Sequence, residues 1–516
     1  MKKIFLLFIL SSLFLALVFP VFSYDYIDDD TQEEVDTLND AVFVISSFVF
    51  NIDGRTRSSA LVYNADLTIG ETFPNLEALL SFVQEKTQIL YNQRVLEYAR
   101  IDYAFGEMSP DGKIPVILTI NTRDSWNVIA LPRPQYSSNT GLDIRINARD
   151  FNFLGTMRAL RFDIGYQRNI EGENFFSLML DSNTPFQLFG LNWNFEFRND
   201  YTFRPNVEFP HFYRNIAGLS MQLPFGDTII TTGISHTLFL NSENPERYRE
   251  QHGRFHEGIY TTINPFISWR IPTGLHYYDI GEIYYTPRLS ATFINEFPQW
   301  PLPDFRKGPV INFSHRFDFG RINWNDNFQN GGSFALNHSV GYNFYYLRNG
   351  NDRHPLSSSI SIRGTGHIMI NHFMGFSARF MYRHWFFDDY NDSAGDVLRG
   401  VLNNNISANY MVSLNLDLPI RVVRFRPSEW SFSPRFFRIF EFDLHLSPII
   451  DAALYNDPVN QRVFGLENLL LTSGIEMIVF PTRWRSLFLR ISYGRNLSLG
   501  HRPNAHEIFI GTDLHF

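Results

Sequence analysis

From about Trp126 to Phe516, apolar and polar residues alternate with a period of two. Within Ala159–Gln167, Leu160, Phe162, Ile164 and Tyr166 share one face, and Arg161, Asp163 and Gln167 share the other. Leu191–Asp200 repeats the pattern, with Leu191, Trp193, Phe195 and Phe197 set against Asn192, Asn194, Glu196 and Arg198. At the C-terminus Ile508, Ile510, Leu514 and Phe516 again fall on one side. Dyad segments of roughly ten residues, divided by Asn, Asp, Gly and Pro loops, predict a transmembrane antiparallel β-barrel. One face then meets lipid and the other a wet interior, and closure leaves no unpaired backbone in the hydrocarbon. The pattern offers about eighteen candidate strands, and about sixteen suit this length. The surplus is expected at 256–330, the region hardest to divide, as loops or turns. A soluble β-sandwich also alternates, but the number of segments, the large aromatics on the apolar face and the terminal Phe favour the membrane barrel.

Residues 41–122 follow a different pattern and predict one small α+β domain. "VFVISSFVFNI" is rich in β-branched and aromatic residues and ends at the Asp53-Gly54 turn. Leu76, Leu79, Leu80, Val83 and Leu90 then fall on one helical face, with Pro74 near its start, where a missing N–H is harmless. A further helical turn is expected over "NQRVLEYARI". "IDYAF" and "KIPVILTINTRD" read as strands about the Asp111-Gly112 turn. The expected order is strand, helices, strand, strand.

Ahead of this domain, Lys2 and Lys3 precede an apolar run from Ile4 to Val18, and "VFS" at Val21–Ser23 offers a cleavage site. Residues 1–23 therefore read as a secretory signal peptide. A membrane-anchoring helix is the alternative, but the next residues are the acidic "DDDTQEEVD", read as a solvated linker over 24–40. Residues 123–516 form the barrel. The chain has no cysteine, which excludes disulfides, thiolate metal sites and a lipid-anchored mature end. A formal net charge of -9 argues against nucleic acid as a partner. Aromatics make up 16% of the chain, with 52 Phe and 24 Tyr, at a mean hydropathy of -0.17. That combination suits interfacial aromatic girdles on a barrel whose other face is polar.

Alternation also orders the polar residues of the C-terminal strands. Val412, Leu414, Leu416 and Leu418 share one face, so Asn415 and Asp417 point inward. Phe442, Leu444, Leu446, Ile450 and Leu454 share the outer face of the next strand, which turns Asp443, His445, Ser447 and Asp451 inward. An enzymatic reading would use His338 beside Ser339, but adjacent strand residues face opposite sides. Asp388-Asp389 and the scattered histidines lack metal-ligand spacing. No cofactor or metal is called for, and the chain reads as a non-enzyme.

Several segments resemble a known family, the outer-membrane assembly proteins of the BamA and TamA type. Residues 41–122 have the order of one POTRA domain, with "NIDGRT" and "TIGETF" at its glycine-containing turns. "RDFNFLGTMRALRF" is similar to the family's "NFLG" segment early in the barrel. "VLRG" resembles its loop motif, in which Leu398, Arg399 and Gly400 precede an aromatic; here Val401 takes that place. "SLNLDLPI" and "SPIIDAAL" resemble the acidic strands that follow. The resemblance implies a sixteen-stranded barrel whose loop folds inward, with Arg399 on the carboxylates of Asp417 and Asp451. It also implies an assembly signal in the last strand, carried by Ile510, Leu514 and Phe516. The implied function is insertion or translocation of polypeptides at the outer membrane, by β-augmentation of clients on the POTRA domain and the barrel seam. The implied partners are unfolded outer-membrane protein clients, periplasmic lipoproteins or chaperones, and outer-membrane lipid. A passive porin or a lipid-handling barrel is the alternative; a porin needs no folded periplasmic domain.

Overall fold

The computed structural model describes residues 41–511, apart from 111, 138–140, 170–171, 206–211, 227, 242–257, 278–280, 298–306, 350–353, 388–391, 394–396, 402–406, 431–439, 457–467 and 499–505. The expected signal peptide and linker, and Leu514 and Phe516, lie outside the described residues.

The N-terminal unit packs two helices on a four-stranded sheet. Its elements are β1 (Val42–Asp53), α1 (Ser58–Ala65), β2 (Thr72–Phe73), α2 (Leu76–Asn92), β3 (Leu96–Phe105) and β4 (Lys113–Asp124). The sheet order is β2-β1-β4-β3, with β1 parallel to β4 and β3 antiparallel to it. Asn75 caps α2 by accepting the Ala78 N–H at 2.9 Å, which satisfies one of the donors a helix start leaves open. Two expectations change. The core face of α2 is Leu79, Phe82, Val83 and Leu90, while Leu80 is 39% exposed. The segment expected to continue the helix instead ends it at Asn92 and forms β3. Arg94 there adopts φ 55°, and a shift in register between Leu96 and Tyr98 hides the period of two. The second helix of the unit is α1, before α2 rather than after it.

The remaining strands close into a barrel of nineteen segments among the described residues. Tyr410–Asp417 and Ile420–Phe425 share the neighbours Met374–Trp385 and Phe442–Tyr455. They are two halves of one span, interrupted at Pro419, which has no N–H to give the ladder. The expectation of about sixteen is therefore too low. The region expected to contain loops carries the long strands Gly258–Tyr277, Gly281–Glu296 and Val310–Asn325. Where the chain alternates, the wall sorts by side: Ile146 and Ile164 are 56% and 49% exposed outside, and Asp143 and Asp163 are buried inside. An outer apolar belt around a polar lumen is the arrangement of a membrane-spanning barrel. Among the described residues no helix is long and apolar enough to cross a membrane.

The N-terminal unit docks at the barrel end that carries short turns such as Asn325–Phe328. Arg321 pairs with Glu85 at 3.0 Å, and the Arg94 guanidinium lies 4.2 Å over the Trp324 ring. Arg485 Nη1 donates to the β3 carbonyl of Leu96 at 3.1 Å. At the junction, Asn152 Nδ2 donates to Thr56 Oγ1 at 2.8 Å and to Asp124 Oδ2 at 3.1 Å, and its Oδ1 accepts the Met157 N–H at 2.9 Å. Met157 reaches into the N-terminal core. The "NFLG" segment thus fastens the barrel to the domain before it.

Candidate functional site

Between the strands Met374–Trp385 and Tyr410–Asp417 the chain makes a long connection at the end opposite the N-terminal unit. Its middle folds back into the lumen. Val397, Leu398, Arg399 and Val401 are all nearly fully buried, and the apolar three pack with Met381, Met411, Ala453, Tyr455 and Leu470. Leu398 therefore anchors the loop, and Val401 does the same without an aromatic ring. Gly400 has φ 86°, a left-handed conformation that a residue without Cβ adopts at little cost. A Cβ there would lie 2.7 Å from the Gly494 carbonyl carbon, and a Cβ on Gly494 would lie 2.7 Å from the Gly400 nitrogen. Loop and wall approach this closely because both positions are glycine.

Arg399 is held by the inner wall. Its Nε and Nη2 donate to the two oxygens of Asp451 at 3.0 and 2.6 Å, and its backbone N–H donates to Asp451 Oδ2 at 2.9 Å. Nη2 also lies 2.5 Å from Asp417 Oδ1, and Nη1 lies 3.7 Å from Glu476. The planar fork of a guanidinium suits such multiple acceptors. Burial opposes the charge on Arg399, but Asp417 and Asp451 outweigh it and raise the pKa above the ordinary arginine value.

The rest of the loop backbone is tied as firmly. The Val397 carbonyl accepts from Asn415 Nδ2 at 2.9 Å and from Arg379 Nη2 at 3.1 Å. The Gly400 N–H donates to Glu507 Oε2 at 2.7 Å. Glu476 in turn pairs with Arg490 at 3.2 Å. Six neighbouring strands, from Met374–Trp385 to His506–Gly511, thereby converge on five loop residues.

The residues expected at the loop, Leu398, Arg399, Gly400, Asp417 and Asp451, come together here. Asn415, expected on the inner face beside Asp417, joins them; those that sequence reasoning left unassigned are Arg379, Glu476, Arg490, Gly494 and Glu507. Glu476 and Arg490 stand buried in strands whose alternate residues are more exposed, so the same alternation applied to the last strands exposes them as partners. Ile510 is 37% exposed on the outer face of the last described strand, away from the loop. His338 and Ser339 separate: His338 meets His315 at 2.9 Å, and Ser339 meets Ser359 at 2.8 Å. Among the described residues no cluster of potential ligands is arranged for a metal.

In outline the chain is similar to BamA and CdiB. BamA from Haemophilus ducreyi lacking POTRA domains 1–3 is 15% identical with a TM-score of 0.39, over 91% of this chain and 84% of that one. CdiB from Acinetobacter baumannii is 11% identical with a TM-score of 0.49, over 91% and 74%. CdiB from Escherichia coli is 10% identical with a TM-score of 0.42, over 99% and 96%. No protein-family model and no curated protein matches the chain. Likenesses this distant carry no functional weight.

Proposed function

We propose that this protein is an outer-membrane assembly or translocation factor, with residues 41–122 a single POTRA domain on the periplasmic side, its last strand running on to Asp124. The observation that carries the reading is the inward loop, clamped by Arg399 to the wall of a barrel whose other end bears a docked α+β domain. A passive porin needs a free lumen and no such domain. Here the loop lies in the lumen against one side of the wall, and Phe328 and Phe480 both pack on His445, with ring centroids 4.5 and 4.7 Å away. The cavity left between these rings, Asp417 and Glu476 measures about 60 Å³, room for a few waters.

In this reading clients bind by strand addition, in which open backbone groups at a sheet edge supply affinity. On its outer side β1 pairs with β2 at Phe43 and Val44, and Ile45 exchanges backbone bonds with Gly70 and Glu71, so the edge beyond Ile45 is the stretch offered to an extended segment. Arg55 at the end of that edge pairs with Asp150 of the barrel at 3.1 Å, which leads a bound segment toward the first barrel strands. Those strands meet the last at the seam, where a client hairpin gains partners without showing bare backbone to lipid. The client's own folding and lipid-face burial supply the driving force, with no nucleotide and no covalent step.

The test is reconstitution. The full-length protein in liposomes should raise the yield of heat-resistant, folded barrel from an unfolded barrel client. Equal yields with and without the protein, together with an unchanged outer-membrane proteome on depletion in cells, would overturn the reading.

A further inference from the structure

The last described strand is His506–Gly511. On one side it pairs with Leu489–Asn496, with Glu507 opposite Gly494. On the other side its neighbour is the first barrel strand, Val128–Ser137. The inward loop grips this hairpin at one row. Gly400 lies so near the Gly494 backbone that a Cβ on it would come within 2.7 Å of the Gly494 carbonyl carbon, and its N–H donates to Glu507 Oε2 at 2.7 Å. The preceding residue is Arg399, bound to Asp451 by three hydrogen bonds. Whatever holds Arg399 therefore holds Gly400, and Gly400 holds the strand beside the seam.

We propose that Glu507 is a positioning residue that latches the terminal strand to the inward loop, so that the seam between the first and last strands opens only as the loop withdraws. The idea rests on the seam reading given above. Three facts favour a latch over an incidental contact. Glu507 accepts from a backbone N–H, which no substitution in the loop other than proline removes. A carboxylate acceptor makes this bond about twice as strong as a neutral one. The bond also falls on the strand that borders the seam, next to the first barrel strand.

The chain lacks cysteine, so introduced thiols report cleanly. Spin labels at Ile146→Cys and Ile491→Cys sit on exposed outer positions on either side of the seam, and Val401→Cys reports the buried loop by its alkylation rate. In the full-length protein, Glu507→Gln keeps an oxygen acceptor of the same reach without the charge and should fall between the parent and Glu507→Ala in both readouts. Glu507→Ala should speed alkylation about tenfold, the change expected from one charge-assisted bond, and should spread the spin–spin distances to longer values. If Glu507→Ala does not fold, Glu507→Asp, one methylene shorter, is measured in the same way and should shift in the same direction. Faster alkylation with unchanged distances overturns the latch, because Glu507 then holds only the loop; no change in either overturns it too. A seam that widens in a protein that assembles no client keeps the latch and removes the assembly reading. An active protein whose seam ignores Glu507→Ala does the reverse.

Discussion

Removing the Arg399 side chain is the sharpest perturbation this barrel offers. Arg399→Ala deletes the cation that Asp417, Asp451 and Glu476 share, and their side chains are 8%, 0% and 3% exposed. The two side-chain bonds to Asp451 disappear, while the backbone N–H of residue 399 can still reach it. Carboxylates left in the lumen without their partner cost on the order of 3–5 kcal/mol. An exposed loop arginine would cost under about 0.5 kcal/mol, so the two outcomes differ by far more than measurement error. Arg379 and Arg490 stay in place and compensate in part, so the lower end of the range is expected. The assay is urea unfolding in detergent, followed by the heat-modifiable band on a gel, with the protease sensitivity of the surface connection measured in parallel. Arg399→Lys separates charge from geometry, since an ammonium keeps the charge but cannot engage both Asp451 oxygens with a fixed fork; it should fall between the parent and Arg399→Ala. Exchange of the pair, Arg399→Asp with Asp451→Arg, should restore only part of the loss, because Asp451 also accepts the backbone N–H at 2.9 Å. If Arg399→Ala leaves both the unfolding midpoint and the protection of the loop at parental values, the clamp does not hold the loop and the reasoning fails.

Two further changes follow from the same geometry. Gly494→Ala places a Cβ 2.7 Å from the Gly400 nitrogen and 2.8 Å from the Arg399 carbonyl carbon; backbone cannot yield as a side-chain tip does, so the loop should be displaced at a cost of about 1–3 kcal/mol, seen as protease cleavage within 386–409. Asn152→Ala removes a fully buried amide from Thr56, Asp124 and Met157 and should cost about 1–3 kcal/mol; limited proteolysis should then release a fragment ending near Asp124 faster than from the parent, with the barrel's own unfolding little changed.

Much of this architecture is written in the spacing of side chains. The alternation that sets Leu416 against Asp417 and Ile450 against Asp451 is a direct consequence of the pleat, and a pattern repeated over so many segments is read without ambiguity. The strand count was harder to read for a physical reason. The strand Gly258–Tyr277 contains Pro265 and Pro272, and its pairing with Gly281–Glu296 shifts register between Pro272 and His276, so its turn-like composition disguises a continuous strand. The helix expected over "NQRVLEYARI" failed because a bulge mimics a change of period. What alternation could not supply was the destination of the loop. Nothing local to "VLRGV" says that its apolar residues leave water for the lumen; that depends on Gly494 and Glu507, about a hundred residues away, and only the closed barrel brings them opposite Gly400.

The chemistry of the clamp also bears on why a loop would be fastened this way. Apolar residues of similar volume often hold a buried site as well as an ion cluster or better, since charges must be stripped of water to enter. What the cluster adds is geometric demand, because a guanidinium bonded to both oxygens of Asp451 and set against Asp417 tolerates little displacement. Val397, Leu398 and Val401 supply the non-directional part of the adhesion, and Arg399 fixes the register. A loop held mainly by such a cluster has a single docked position, and once the guanidinium is rehydrated it has little to retain it. Stability alone would favour an apolar plug; strict docking that can be released favours arginine with glycine, and that is what the lumen of this barrel holds.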